Sequence, residues 1–441
     1  MIRRIRRHLA KLDLRHRQIA LGFLWVGLFV FVGKLAGAAK EMAIAWRYGV
    51  SATVDAYVFV LNLIIWPVSV WFSILTVVLL PLVARLRGYA DGELPRFYAE
   101  VMGLTVAIGI ALGFFYWLAF PVLLRSGWLG ISANSLEAAL EMAGGLAILG
   151  PLGAVISLFS AWLLAEGKHR NTLFEAIPAL TLLAILLVLP NSIPEPLVWG
   201  TVAGYSLQAA ALGVSIHRRG GLPSPSFAQR SPAWQYFWSS IGIMSLGQTL
   251  SSLTTLIDQF FVVGLGDGAI SSLNYANRIL MLLMGLGATA ISRATLPVFS
   301  TNSDVNVAGL ALRWTMLMFI FGVAVLLVSW PLAPWAVGLL FERGAFNSEN
   351  TNSVAGILRF SLLQVVFYFP ALVLVSVLVA QRRYSLFAAS GAVNLVSKVA
   401  FAFFLVPHLG IQGVVLSTVL MYGVSAALLV WFVYGVEMRN R

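Results

Sequence analysis

One apolar stretch follows another along this chain, each long enough to cross a bilayer, with short and mostly basic breaks between them. A spanning helix takes about 20 apolar residues to cross about 30 Å of hydrocarbon. Twelve such stretches can be counted. The first six lie at 18–46, 54–84, 98–124, 136–165, 171–190 and 196–217; the second six lie at 234–264, 270–299, 308–330, 352–381, 384–406 and 411–435. With 60% hydrophobic and 10% charged residues, 441 residues could not furnish a polar surface in water. In lipid every backbone N–H and C=O must be paired, which permits helices or a closed barrel. Barrel strands would show about ten residues of strict alternation, and no such pattern is present. The expected fold class is therefore an all-α polytopic membrane protein with about 12 transmembrane helices.

Lysine and arginine set the expected orientation. Arg3, Arg4, Arg6, Arg7, Lys11, Arg15 and Arg17 crowd the N-terminal tail. The loops on the same side carry Arg85, Arg87 and Arg96, then Lys168 and Arg170, then Arg218, Arg219 and Arg230, then Arg382 and Arg383, and the C-terminal tail carries Arg439 and Arg441. The opposite side holds Arg47, Arg125 and Arg343. This asymmetry predicts both termini in the cytoplasm. It also accounts for the net charge of +12 through positive-inside loops and anionic headgroups, with no nucleic-acid partner. The basic start runs into a segment too long for a cleaved leader, so an uncleaved first span is expected. With no cysteine, disulfides and thiol chemistry are excluded. The five histidines lie in tails or near loops without metal-ligand spacing. There is no phosphate-binding glycine loop and no Ser-His-Asp order, so neither an enzyme nor a bound cofactor is expected.

The chain also repeats itself. Gly49, Asp55-Ala56-Tyr57 and Leu80-Pro81 are echoed by Gly264 and Gly266, Tyr275-Ala276-Asn277-Arg278 and Leu296-Pro297. Leu164-Ala165-Glu166-Gly167 and Leu173-Phe174 are echoed by Val379-Ala380-Gln381-Arg382 and Leu386-Phe387. Both echoes fall at an offset of about 215 residues, as one duplication would give. The expected domains are an N-terminal six-helix lobe, 1–217, a cytoplasmic linker, 218–233, rich in Pro, Gly and Ser, and a C-terminal six-helix lobe, 234–441. Two parallel lobes with a site between them suit alternating access by rocking.

Charges within the apolar stretches are costly in lipid and mark function. Lys34 and Glu41 are seven residues apart and share a helix face, with Lys40 beside Glu41. They read as a cationic wall for an anionic headgroup, with Glu41 balancing it when empty, or as snorkelling side chains, or as an internal pair that fixes the bundle; the first is preferred for Lys34, near mid-span. Asp55 reads as a binding residue or as an N-terminal helix cap. Asp258, flanked by Leu256, Ile257, Phe260 and Phe261, reads as a site for Na⁺ or H⁺ or as the partner of Arg278, the second being preferred. Arg278 and Arg359 require a polar cavity or partner; Arg293 and Arg313 are expected to snorkel. Lys398, mid-helix beside Asn394, is expected to face the cavity. The embedded cations outnumber the acids, which suits a phosphate-linked lipid. Trp46, Trp66, Trp71, Trp330 and Trp335 read as an interfacial belt.

Gly33-Lys34-Leu35-Ala36-Gly37, Lys40-Glu41, Tyr48-Gly49 and Asp55-Ala56 resemble the first-helix signature of the MurJ/MviN lipid II flippases. Leu273-Asn274-Tyr275-Ala276-Asn277-Arg278 with Leu296-Pro297-Val298-Phe299-Ser300 resembles that family's central motif, and Leu340-Phe341-Glu342-Arg343-Gly344-Ala345-Phe346, followed by Ser348-Glu349-Asn350-Thr351, is its most specific segment. The resemblance covers essentially the whole chain. It implies the MOP (MATE-like) superfamily fold, with two lobes around a central cavity. It also implies movement of an undecaprenyl-diphosphate-linked glycan to the outer leaflet, linked to an Na⁺ or H⁺ gradient or to membrane potential. Lys34, Lys40 and Arg278 match motif positions whose cations hold the diphosphate; Glu41, Asp55 and Arg359 complete the expected substrate set, with Asp258 as the ion-coupling candidate. The expected partners are the lipid-linked saccharide, the bilayer and envelope-biosynthesis proteins. Two departures stand out: family members carry two further helices after the twelfth, and the arginine-rich Glu-Gly-Ala-Phe segment of span two is replaced by Asn62-Leu63-Ile64-Ile65-Trp66-Pro67. They leave another polyprenyl-linked saccharide as an alternative cargo. A cation-coupled MATE-like antiporter is the alternative function.

Overall fold

The computed structural model describes residues 14–86, 93–166, 169–189, 195–218, 221–241, 243–301, 307–381 and 383–440. Of the orientation-setting cations, Arg3, Arg4, Arg6, Arg7, Lys11, Arg87, Lys168, Arg219, Arg382 and Arg441 lie outside these residues, and the side chain of Arg293 is likewise outside the description. The helices are α1 Leu14–Tyr48, α2 Ala52–Leu86, α3 Glu93–Arg125, α4 Ala133–Leu146, α5 Leu149–Ala165, α6 Ile177–Val188, α7 Glu195–His217 and α8 Ala233–Ser240. They continue as α9 Ile243–Val262, α10 Ala269–Thr301, α11 Val307–Phe341, α12 Ser348–Leu362, α13 Val365–Ala380, α14 Tyr384–Leu409 and α15 Ile411–Asn440.

Each apolar stretch lies largely on one of these helices or on a pair of them, the stretch from 171 beginning in a 3₁₀ segment, His169–Ala176, that leads into α6. Among the described residues six helices are individually long and apolar enough to cross a membrane. Two further spans arise if α4 with α5, bent by 51°, and α12 with α13, bent by 41°, each count as one. The second bend is a tight turn in which the N–H groups of Leu363 and Gln364 reach the carbonyls of Phe360 and Ser361, three residues back. The chain is thus a multi-pass, all-helical membrane protein.

By packing the chain divides into two compact units. One comprises 1–43, 75–114 and 145–237; the other comprises 44–74, 115–144 and 238–441. In the first unit, residues 221–230 form no helix, yet the segment is held in place. The Glu100 carboxylate on α3 accepts from the backbone N–H groups of Arg230 and Ser231, each at 3.1 Å, and from the indole N–H of Trp234 at 2.6 Å. Ser226 N–H adds a bond to the Ala99 carbonyl at 2.8 Å. The contact with α3 is so close that a Cβ on Gly103 would lie 2.1 Å from the Ser226 carbonyl oxygen.

In the second unit several helices run through prolines that ought to interrupt them, and at two of these prolines a side chain serves the freed carbonyl. A helical proline has no N–H, so the carbonyl four residues earlier loses its partner. Pro67 in α2 leaves the Leu63 carbonyl free, and the Tyr116 hydroxyl of α3 donates to it at 2.8 Å. Pro334 in α11 leaves the Trp330 carbonyl free, and Nε of Arg359 donates to it at 3.3 Å. This corrects the expectation that the segment starting at 308 stops at residue 330: α11 continues through Pro331 and Pro334 to Phe341. Of the tryptophans assigned to an interfacial belt, Trp46 and Trp335 are exposed, but Trp71 is buried and the Trp66 indole donates to the Ser252 hydroxyl at 3.1 Å.

Candidate functional site

The sequence motifs converge on a knot in the second unit. Gly49 ends α1 in the left-handed region, with φ +61°, and its N–H bonds the Ala45 carbonyl at 2.9 Å. The Gly344-Ala345 turn docks against this end: Ala345 N–H bonds the Trp46 carbonyl at 2.8 Å. Gly344, with φ +62°, fits only without a side chain, since a Cβ would lie 2.3 Å from the Trp46 oxygen. The Tyr275 hydroxyl donates to the Gly49 carbonyl at 3.0 Å, and its buried ring packs on Phe341 and Phe346 at 5.0 and 5.5 Å. Asp55 is buried here as well. Its two oxygens accept from the N–H groups of Gly268 and Ser271, each at 2.6 Å. It therefore caps the start of α10, a helix far from its own in sequence, where orphan N–H groups and the helix dipole favour a carboxylate. Asn347 caps α12 in the ordinary way, accepting from Asn350 N–H at 2.9 Å.

A cavity of about 460 Å³ lies within the same unit. Asn62, Asn274, Asn277 and Gln364 line it with amides, and Arg278 and Asp258 bring charge to its wall. Asn62 belongs to the segment that departs from the family's arginine-rich pattern, so that departure falls in the cavity lining.

The structure gives Asp258 a partner that corrects the preferred reading. Its carboxylate pairs with Lys398 of α14, not with the expected Arg278. Helical spacing within one segment cannot reveal a pairing between segments about 140 residues apart. Lys398 is fully buried and does not line the cavity. Its Nζ also donates to the Val414 carbonyl at 2.9 Å, to Ser417 Oγ at 2.8 Å and to Thr418 Oγ1. Arg359 stands apart from the cavity lining and serves the Trp330 carbonyl. Arg313 is exposed.

Lys34, Lys40 and Glu41 belong to the first unit. Lys34 is exposed. Lys40 Nζ lies 2.9 Å from the Glu41 carboxylate, and Glu41 itself is buried. The two form an ion pair, and Lys40 retains partial exposure. Among the described residues no cluster of three or more His, Asp or Glu is placed to hold a metal. The amides and tyrosines of the cavity, notably Gln364, Tyr368 and Tyr422, were missed in the sequence because uncharged polar residues carry no signal of depth in a span.

The model of the family described as lipid II flippase MurJ matches residues 44–435. This chain belongs to that family. A probable lipid II flippase MurJ of Bdellovibrio bacteriovorus is 27% identical over 248 residues, which cover 53% of this chain and 46% of that protein. One from Buchnera aphidicola is 21% identical over 355 residues, covering 76% of this chain and 68% of that protein. The match to the Bdellovibrio protein thus spans about half of that relative's length. In three dimensions the chain is similar to a lipid II flippase MurJ in an inward closed conformation, with a TM-score of 0.80 at 18% identity over 93% of this chain and 87% of that one. It is also similar to an inward-facing multidrug resistance MATE family transporter of the MOP superfamily, with a TM-score of 0.74 at 17% identity over 92% and 94%. The chain accordingly shares the fold of these two proteins.

Proposed function

We propose that this protein is a flippase that carries an undecaprenyl-diphosphate-linked glycan, lipid II or a related polysaccharide precursor, from the inner to the outer leaflet of a bacterial inner membrane. Twelve spans in two six-helix lobes, with both termini in the cytoplasm, work by alternating access. The observation that carries this reading is the cavity: a guanidinium, Arg278, set among amides in a member of a lipid II flippase family. A guanidinium suits the planar oxygens of a diphosphate, and amides suit sugar hydroxyls. Lys34 and Lys40 are proposed as further phosphate contacts, with Glu41 moderating their charge. An inside-negative potential, at about 2.3 kcal/mol per charge per 100 mV, helps to reset a cationic empty cavity. Asn62, in the segment that departs from the family's arginine-rich pattern, lines the cavity and supports a headgroup that differs from lipid II in its sugars or peptide.

The MATE-like antiporter alternative draws on one observation, the Asp258 carboxylate in the cavity wall, which would attract a cationic solute. Lys398 already neutralises it, and this favours the anionic cargo. Depletion of the protein, with identification of the lipid-linked sugar that accumulates on the cytoplasmic face, tests the reading. Arg278→Ala is expected to lower flipping of that lipid at least tenfold at unchanged folding. Unimpaired flipping by this variant, or no accumulated lipid on depletion, would overturn the proposal.

A further inference from the structure

Lys398 sits in a cage of oxygens drawn from α9 and α15. Its Nζ meets the Asp258 carboxylate, the Val414 carbonyl at 2.9 Å, Ser417 Oγ at 2.8 Å and Thr418 Oγ1. The Ser417 and Thr418 hydroxyls both direct their hydrogens at the Val414 carbonyl, at 2.6 and 3.4 Å. Their lone pairs are thereby left for the cation. Asn394, one turn before Lys398 on the same helix, has a buried Oδ1 with no hydrogen-bond partner. A carboxylate, a carbonyl and two hydroxyls form a hard-oxygen donor set. With a single carboxylate, the set matches one positive charge. Asp258 and Thr418 also line the cavity, so the cage has a face open to it.

We infer that this cage is an alkali-cation site whose occupant is the protein's own ammonium. A tethered cation cannot leave, so the site is filled at any external salt concentration. Transport, on the reading above, then draws on membrane potential rather than on release of Na⁺ or K⁺ from this site. Only that last consequence rests on the proposed function; the ion site stands on its geometry alone.

The test is thermal unfolding of the purified full-length protein in detergent, in NaCl, KCl or choline chloride at equal ionic strength. The unaltered protein is expected to unfold at one temperature in all three. Lys398→Ala is expected to unfold earlier in choline and to recover by about 3 °C or more in NaCl or KCl, the better salt identifying the cation that fits. Adding Asp258→Asn to that variant is expected to abolish the recovery. Equal unfolding of Lys398→Ala in the three salts overturns the inference, as does stabilisation of the unaltered protein by Na⁺ or K⁺. If the alanine variant is not recovered folded, Lys398→Ser, which adds a hydroxyl to the cage, is read by the same two outcomes. No lipid cargo enters the measurement, so an error in the glycan assignment leaves it unmoved.

Discussion

Asp55 and Asp258 are both carboxylates within apolar helices of the second unit, and they are neutralised in different ways. Asp55 is tied to the backbone of another helix start, at Gly268 and Ser271. Asp258 is tied to a side chain, Lys398, at the edge of a cavity. Backbone N–H groups cannot titrate, move to another rotamer or be exchanged for an ion. The first arrangement therefore fixes structure, together with the packed rings of Tyr275, Phe341 and Phe346. The second rests on a side-chain ammonium, which only a substitution can remove, held beside the cavity lining. The family's most specific segment, around Phe341 to Phe346, thus lies in the knot, whereas its central motif is divided: Tyr275 packs in the knot, and Asn274, Asn277 and Arg278 line the cavity.

The strongest attempt to break this contrast is Gly344→Val. A β-branched residue at φ +62°, driven into the Trp46 carbonyl and indole, is expected to cost at least about 3 kcal/mol from the left-handed strain and overpacking together. The loss is read as a lower unfolding temperature and lower abundance in membranes; a variant as stable as the parent would remove the knot from the account. Asp55→Asn comes next, at about 2 kcal/mol, because an amide turns a donor towards one of two backbone N–H groups. Flipping per folded molecule should survive it. Abolished flipping at unchanged stability would return Asp55 to the substrate-binding set in which the sequence placed it.

Tyr116→Phe sharpens the comparison at smaller scale. It leaves the Leu63 carbonyl, already deprived by Pro67, without its donor, at about 1 kcal/mol or somewhat more. A chemical denaturation midpoint equal to that of the parent would show that another group serves this carbonyl. The smallest expected effect is a pH dependence outside the spans. Hydrogen bonds from Ser132 and Asn134 hold the Asp267 carboxyl below its ordinary value. A depressed folded-state pKa means that the unfolded chain binds the proton first as acid is added. The contribution of Asp267 is thus complete above the ordinary aspartate value of about 4 and is lost as pH falls towards the folded value. Asp267→Asn should flatten that part of an unfolding-temperature profile; an unchanged acid slope would exclude it.

Local composition made the helices legible, because the cost of an unpaired backbone group in lipid leaves few alternatives over a long apolar run. The stretch starting at 308 is expected to stop at 330, yet the helix runs on through Pro331 and Pro334; the donor that serves the Trp330 carbonyl, Arg359, lies in a different segment. Glu100 illustrates the point in the first unit. Nothing near it in sequence announces that it will gather Arg230, Ser231 and Trp234 and fasten a segment expected to be a linker.

The sequence alone determined an all-helical chain made for lipid and the approximate helix positions, because these follow from hydrophobicity within single segments, and its motifs carried the family resemblance. Only the tertiary structure decided that Asp55 caps α10, that Lys398 rather than Arg278 answers Asp258, and that Asn62 reaches the cavity. A charge in a low-dielectric interior takes whichever counter-group packing brings nearest, and that choice is made between helices distant in the chain.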